Sequence, residues 1–482
     1  MAGLFQRQEP PLGRALIVGE RLDVAIVARL RSEVADDLAD AGVRDLTLAD
    51  RRELARQLAL GRLRGLAAER VASGETPIDP RQEQALAGCV LDALFGLGRL
   101  QTLVDDPEVE NIDCNGHDNV WVTYADGRKV MAEAVAESDG ELIEILRSAA
   151  ARFGLSERRF DTAHPELDLR LPDGSRLSAL MSVVARPSVS IRRHRYVDLS
   201  LTDLERMGTV DSFLHSLLAA AVRARKNIVV GGAMNSGKTT LMRALCAEIP
   251  ARERIVTIEQ AFELGLEATP ECHPDLVAVE ARAPNAEGEG EITMARLVRR
   301  ALRMNADRVI VGEVLGDEVL PMLNAMSQGR SGSMCTIHAD SSSGIFRRMA
   351  SYAVQAKERL PIESTNVLIA GALHFVVYVD AVDESSPSCR SDFDYLRWSL
   401  RDEHERRRRG ELSFDAVRRR RFVASVREVV DAEGLQVISN EVYRAGRFSE
   451  GAVGAPLRSS TLEELVAHGF EPATPRCEST WP

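Results

Sequence analysis

Lysine is scarce in this chain: Lys129, Lys226, Lys238 and Lys357 are the whole complement among 61 basic residues, the others being arginine. A bias that strong is consistent with a GC-rich bacterial genome, and it turns each lysine into a position worth asking about. Cysteine is equally uninformative as a framework. The seven cysteines (Cys89, Cys114, Cys246, Cys272, Cys335, Cys389, Cys477) are scattered, and no two form a C-x-x-C pair. That excludes a zinc ribbon and points to a reducing compartment. Aromatics make up 5% of residues and the net charge is −12, so no basic patch interleaved with aromatics is available, which opposes nucleic acid as a partner. No run of 18 apolar residues occurs; the longest candidate, 366–382, is interrupted by Gly371, His374 and Asp380 and reads as a helix followed by a buried strand. Residues 1–20 carry prolines and mixed charges in place of the apolar core of a signal peptide. The expectation is an acidic cytoplasmic protein, and 482 residues are too many for one core.

What is present is more specific. Residues 225–240 run from a short apolar strand into Gly232-Ala233-Met234-Asn235-Ser236-Gly237-Lys238-Thr239-Thr240, which fits G-x-x-x-x-G-K-[ST]. The glycines let the backbone wrap so that successive N–H groups face a phosphate. Lys238 reaches the outer phosphate oxygens as a point charge, and the Thr239 hydroxyl is placed to ligate Mg²⁺. A helix over about 239–248 adds its positive end to the same anion. One of four lysines therefore stands where a phosphate loop needs it, and ATP with Mg²⁺ is the expected ligand.

Three further segments, 255–260, 306–314 and 332–340, read as buried strands ending near Glu259, Glu313 and His338. Parallel strands bring their carboxyl ends to one edge of a sheet, where ligands bind in open α/β folds. Glu313 and Glu259 are candidates for metal positioning or for polarising the attacking water, and His338 for sensing the terminal phosphate. Each could instead be an ordinary strand-end residue facing water.

The organisation along the chain is a helical extension over 1–90, a smaller α+β domain over 91–195 and a linker over 196–208. An α/β nucleotide domain carrying the phosphate loop follows over 209–385, then a tail over 386–482 with arginine-rich segments and one β-hairpin. The hairpin is read from 421–444 around Asp431-Ala432-Glu433-Gly434.

Taken with Gly96-Leu97-Gly98-Arg99-Leu100, Leu171-Pro172-Asp173-Gly174-Ser175-Arg176-Leu177, Ser190-Ile191-Arg192-Arg193 and Glu280-Ala281-Arg282-Ala283-Pro284-Asn285, these motifs resemble the secretion ATPases of type II and type IV systems. Within them the resemblance is to the CpaF-like branch that powers tight-adherence pili, and it spans about 85–385. It implies a hexameric ring that binds ATP between its small α+β domain and a RecA-like P-loop core over 209–385. The ring would dock on inner-membrane platform proteins at the cytoplasmic face and meet the membrane peripherally through those partners. It implies that Arg170, Arg176, Arg192 and Arg193 lie over the nucleotide, Arg176 and Arg192 acting on the charge of the transition state, while Arg282 contributes from the core. In a chain this rich in arginine, any of them could equally be a solvated surface group.

Several positions depart from the family pattern. Gln260 stands where an Asp is usual, Leu315 where an Arg is usual, Arg330 replaces a His and Asp340 an Asn. A ring that binds ATP but turns it over slowly, or only with a partner, therefore stays open beside the motor. So does a nucleic-acid translocase on the same core, against the charge balance. The arginine runs 406–409 and 418–421 could meet anionic lipid or acidic partner loops, or form a solvated charged face.

Overall fold

Apolar spacing changes from helical to alternating just after residue 100, and the backbone changes with it. The computed structural model describes residues 24–41, 46–76, 78–153, 159–193, 199–282, 284–285, 288–327, 331–383, 413–414, 419–445 and 451–472. They divide at Arg193 into two compact units, the pair 413–414 belonging to the first and residues from 419 onward to the second. Arg330, Ala283 and the run 406–409 lie outside the described residues.

The first unit opens with α1 (Val24–Asp40), α2 (Leu48–Ala72) and α3 (Pro80–Phe95). Thr47 caps α2 by accepting the Asp50 N–H, and α3 starts with a capping box between Asp79 and Gln82 and with Pro80 in its first turn. The helices share a core of Leu30, Val34, Ala55, Ala59, Leu63 and Val90. The expected boundary at residue 90 falls inside α3, because the helical period continues to Phe95. After α4 (Leu100–Asp105) come β1 (Val109–Asn115), β2 (Val120–Tyr124), β3 (Lys129–Ala132), α5 (Asp139–Phe153), β4 (Glu166–Arg170), β5 (Arg176–Leu180) and β6 (Ser188–Arg192). With β13 (Ser413–Phe414) they make an antiparallel sheet in the order β13-β3-β2-β1-β6-β5-β4. Leu167, Leu169, Leu177, Ala179, Val189 and Ile191 point to one face and share a core with Leu142 and Leu146 of α5, so their alternate neighbours stand on the other face.

The second unit holds α6 (Leu201–Arg206), α7 (Ser212–Arg223), β7 (Ile228–Gly232), α8 (Lys238–Cys246), β8 (Ile255–Glu259), β9 (Leu276–Glu280), α9 (Met294–Ala301), β10 (Arg308–Val314), α10 (Val319–Ser327), β11 (Met334–His338), α11 (Ser342–Gln355), α12 (Ile362–Ala372) and β12 (Phe375–Asp383). Then follow β14 (Arg419–Glu433), β15 (Gln436–Ala445), β16 (Gly451–Val453) and α13 (Ser459–Ala467). The sheet runs β16-β15-β14-β12-β7-β11-β10-β8-β9. Its six strands from β12 to β9 are parallel and its last three additions are antiparallel. Helices cover both faces, so the central strands read as unbroken apolar runs. In β7, Ile228 and Val230 enter the core on one face and Val229 the core on the other.

The hairpin expected in a separate tail is part of this sheet: β14 pairs with β12 from Glu428 opposite Phe375 to Arg419 opposite Asp383. Its inward residues Val423, Val426 and Val429 are fully buried, which is why it docks and does not hang from the core.

At the amino edge of the parallel strands the polar groups close on one another. Asn227 is wholly buried; its Nδ2 donates to Met326 O (3.1 Å) and Ala372 O (2.6 Å), and its Oδ1 accepts from Gly332 N (2.8 Å) and Ser333 N (3.0 Å). Arg308, also wholly buried, pairs with Glu253 at 2.7 and 3.1 Å and donates to Val222 O at 2.8 Å. A Cβ on Gly332 would lie 2.7 Å from that guanidinium, and φ there is +90°, so only glycine fits. Asn227→Ala should cost about 3 kcal/mol or more, since several buried backbone groups lose their partners together; a denaturant titration against the wild type checks it.

His374 makes this edge sensitive to acid. Its Nδ1 accepts the Asn227 N–H at 3.0 Å. Burial first, then the nearby Lys226 cation, hold its pKa down at about 4, against an ordinary value of 6.5. Between those values the unfolded chain takes up a proton that the folded chain refuses. This contribution to stability is complete above pH 6.5 and is lost as pH falls toward 4. His374→Asn keeps an acceptor that does not titrate, and should remove a few degrees of the drop in Tm between pH 6.5 and 4.5.

Candidate active site

β7 ends at the centre of the sheet, and the chain must turn sharply to start α8. It does so through two left-handed residues, Asn235 (φ +59°) and Gly237 (φ +97°). A Cβ on Gly232 would meet Val379 O at 2.4 Å and Ser236 Oγ at 2.5 Å, so the loop closes only over glycine. Ser236 is fully buried and its Oγ has no hydrogen-bond partner. Ala233 and Met234 are exposed at the loop's crest, while Thr239 and Thr240 are half-buried in the first turn of α8. Curled backbone, a helix amino end and a lysine at its first residue make an anion cradle.

Lys238 is 7% exposed, and its Nζ lies 2.8 Å from Ala233 O and 3.1 Å from His338 Nδ1. His338 stands opposite Gly232 in the β11–β7 register, and its Nε2 lies 2.7 Å from Glu313 Oε1. Lys238, His338 and Glu313 thus stand in line from cation to anion, Glu313 Oε1 being buried with no hydrogen bond of its own. An ammonium only donates, so a neutral ring that accepts from Lys238 at Nδ1 carries its proton on Nε2.

Glu313 is not the last residue of its strand. β10 continues to Val314, and the pairing with β11 shifts between Val311 and Val314. The irregularity brings Gly312 against the neighbouring strand end: a Cβ there would lie 2.9 Å from Glu259 Cγ. The Thr336 hydroxyl fixes the kink by donating to Gly312 O at 2.5 Å.

Glu259 ends β8, 2% exposed. Its Oε2 accepts the N–H groups of Glu263 (2.7 Å) and Leu264 (2.8 Å), and its Oε1 is buried without a hydrogen-bond partner. Burial pushes its pKa up to about 7 against the pull of those two N–H groups, with Glu267 and Glu263 adding to the rise. Arg243 of α8 is buried and its guanidinium donates to Glu263 O, tying this turn to the helix that carries the lysine. Nothing local in the sequence marks that arginine, because its partner lies twenty residues further along the chain. Gln260 and Leu315 are both exposed.

In the first unit Arg170, Arg176 and Arg192 stand directly opposite one another across β4, β5 and β6, on the face away from α5. Like charges opposed in this way are unfavourable without an anion or acid nearby. Arg193 alternates to the other side, where its guanidinium donates to Asp106 O and lies 3.9 Å from Asp173. In the second unit Arg282 is exposed, bridged through its backbone to Ile292, with its Nε donating to Gly290 O at 2.8 Å.

The family described as Type II/IV secretion system protein matches residues 95–464. A Mycobacterium tuberculosis protein assigned to conjugal transfer is 33% identical over 296 residues, 59% of this chain and 80% of its own length. The Brucella suis type IV secretion system protein VirB11 is 30% identical over 316 residues, 59% of this chain and 84% of its own. Among solved structures, the VirB11 ATPase of Brucella suis is 28% identical, covering 60% of this chain and 92% of that one, with a TM-score of 0.31. The DotB ATPase of Legionella pneumophila is 17% identical over 64% of this chain and 87% of that one, with a TM-score of 0.43.

Nitrogen NMR on histidine-labelled protein at pH 8 should find His338 as the Nε2–H tautomer; a proton on Nδ1 would break the chain to Lys238.

Proposed function

The chain belongs to the type II/IV secretion system protein family, and from that premise we propose that it is an ATP-hydrolysing motor of a secretion or pilus apparatus. The observation that carries this reading is the Lys238–His338–Glu313 chain at the mouth of a glycine loop that accepts no side chain at Gly232. Lys238 binds the outer phosphates and exchanges its bond to His338 for one to phosphate oxygen. His338 passes that change to Glu313, which holds the attacking water or the metal shell. Glu259 supplies the second acid, and Thr239 its hydroxyl.

Mg²⁺ bound with ATP would neutralise charge between the phosphates. Hard oxygen donors suit it, and the buried Oε1 of Glu259 is an acceptor with no partner. No cluster of three or more His, Cys, Asp or Glu able to hold a metal occurs among the described residues, so most of the ion's ligands would be phosphate oxygens and water. The opposed arginines Arg170, Arg176 and Arg192 form a cationic row suited to phosphate, with Arg176 and Arg192 acting on the transition state and Arg193 steadying their strand. Arg282 is the weakest candidate, its guanidinium being engaged within its own turn.

The finer reading is a homohexameric ring of the tight-adherence branch, resting on the motifs at 96–100, 171–177 and 280–285. It would dock on platform proteins at the cytoplasmic face of the inner membrane. No helix of the described residues is long and apolar enough to cross a membrane. The exposed Gln260 and Leu315 favour, as a second reading, a ring that hydrolyses slowly without its partner.

Mg²⁺-ATP turnover per subunit should rise with protein concentration, and Lys238→Ala or Glu313→Gln should lower it about a hundredfold or more. Tight ATP binding with no turnover at any concentration would select the slow ring. Absence of nucleotide binding in the wild type would sink both.

A further inference from the structure

The loop that carries Lys238 has a neighbour that none of its motifs includes. Arg421 stands on β14, nearly two hundred residues later, and its Nε donates to Asn235 O at 3.0 Å. A Cβ on Gly237 would come within 3.3 Å of Arg421 Cδ. The arginine stem therefore lies across the outer side of the loop, spanning the two left-handed residues that make its turn.

Its position is set by a rigid sheet. Arg421 is opposite Ala381 in the β12 pairing, and two residues on, the Val423 N–H is bonded to Thr209 O at 2.9 Å. β12 in turn lies beside β7, from which the loop springs.

The geometry of a trans peptide gives that contact a consequence. The carbonyl and the N–H of one peptide unit point in opposite directions. Drawing Asn235 O outward to a guanidinium turns the N–H of Ser236 inward, away from Arg421. Inside the loop that N–H meets Ala233 O at 3.4 Å, a distance at which a hydrogen bond is weak. An N–H so placed is available to a stronger acceptor. A guanidinium also stays charged at any working pH, so its bond to Asn235 O is not lost by titration.

We propose that Arg421 is a positioning residue for the nucleotide phosphates, orienting the loop from the last hairpin so that ATP affinity depends on that hairpin being seated. This rests on the phosphate-loop reading of 232–239. It also separates Arg421 from the arginine run to which it belongs in the sequence, since its guanidinium reaches the loop carbonyl.

The test uses the full chain and three variants: Arg421→Ala, Arg421→Lys, and Arg444→Ala as a control from an exposed position of the same hairpin. Affinity is read by titration with a fluorescent ATP analogue, KM and kcat by steady-state turnover, and folding by thermal melting without nucleotide. Loss of one charge-assisted hydrogen bond predicts that Arg421→Ala raises Kd and KM about tenfold while kcat at saturation stays within about twofold. The nucleotide-free melt should fall by no more than a few degrees, since Arg421 is half-buried and a single bond to a loop carbonyl is lost. Arg421→Lys, which keeps the charge and a donor, should recover part of the affinity, and Arg444→Ala should match the wild type. Equal affinity in Arg421→Ala and Arg444→Ala overturns the proposal. So does an affinity loss that follows a lowered melt and is not eased by lysine. A wild type that binds no ATP analogue sinks the phosphate-loop reading itself, a failure seen before any variant is compared.

Discussion

The side chain of Asn227 fixes the starting points of two strands at once. Its amide oxygen takes the first N–H groups of the β11 approach while its nitrogen holds the ends of α10 and α12, and β7 begins at the next residue. Because strand pairing is periodic, the register set at that edge is carried five residues along to the other, where Gly232 meets His338. A slip of one residue would turn His338 to the opposite face of the sheet and separate it from both Lys238 and Glu313. The chemistry at the carboxyl edge is thus specified by a neutral amide at the amino edge, about five residues of strand away, or roughly 17 Å.

The buried Arg308–Glu253 pair stands beside it and plays a different part. A buried ion pair often contributes little net stability, because desolvation offsets attraction. Here the guanidinium also bonds the Val222 carbonyl and excludes any side chain at Gly332. What it adds is definition of the turn that feeds β11, which is the strand carrying the histidine.

Much of this was legible in the sequence, where the determinants are local. The phosphate loop announces itself because glycine is demanded at fixed offsets by sterics. The strands ending near Glu259, Glu313 and His338 announce themselves because a parallel sheet covered on both faces needs apolar runs. Less legible was whatever depends on pairing between distant segments. The hairpin was recognisable as a hairpin, yet nothing in 421–444 says that its first strand joins the β12 edge. The shift that turns Glu313 toward His338 is equally silent, since Gly312 reads as any glycine in a strand. Arg243 and Arg421 were hidden for another reason: in a chain with so many arginines, composition gives no way to pick out the ones that reach the Glu263 and Asn235 carbonyls.

The scarcity of lysine acquires an experimental meaning once the fold is known. Lys226 is buried against Glu464 and Lys238 against Ala233 and His338, which leaves Lys129 half-exposed and Lys357 exposed. An amine-selective acylating reagent would therefore meet a nearly blank surface. Any slow labelling at Lys238 would stand out from almost no background, and its rate would report how often the centre of the loop opens to solvent. The genome's preference for arginine has left this protein with a built-in chemical reporter at the one ammonium group its proposed chemistry requires.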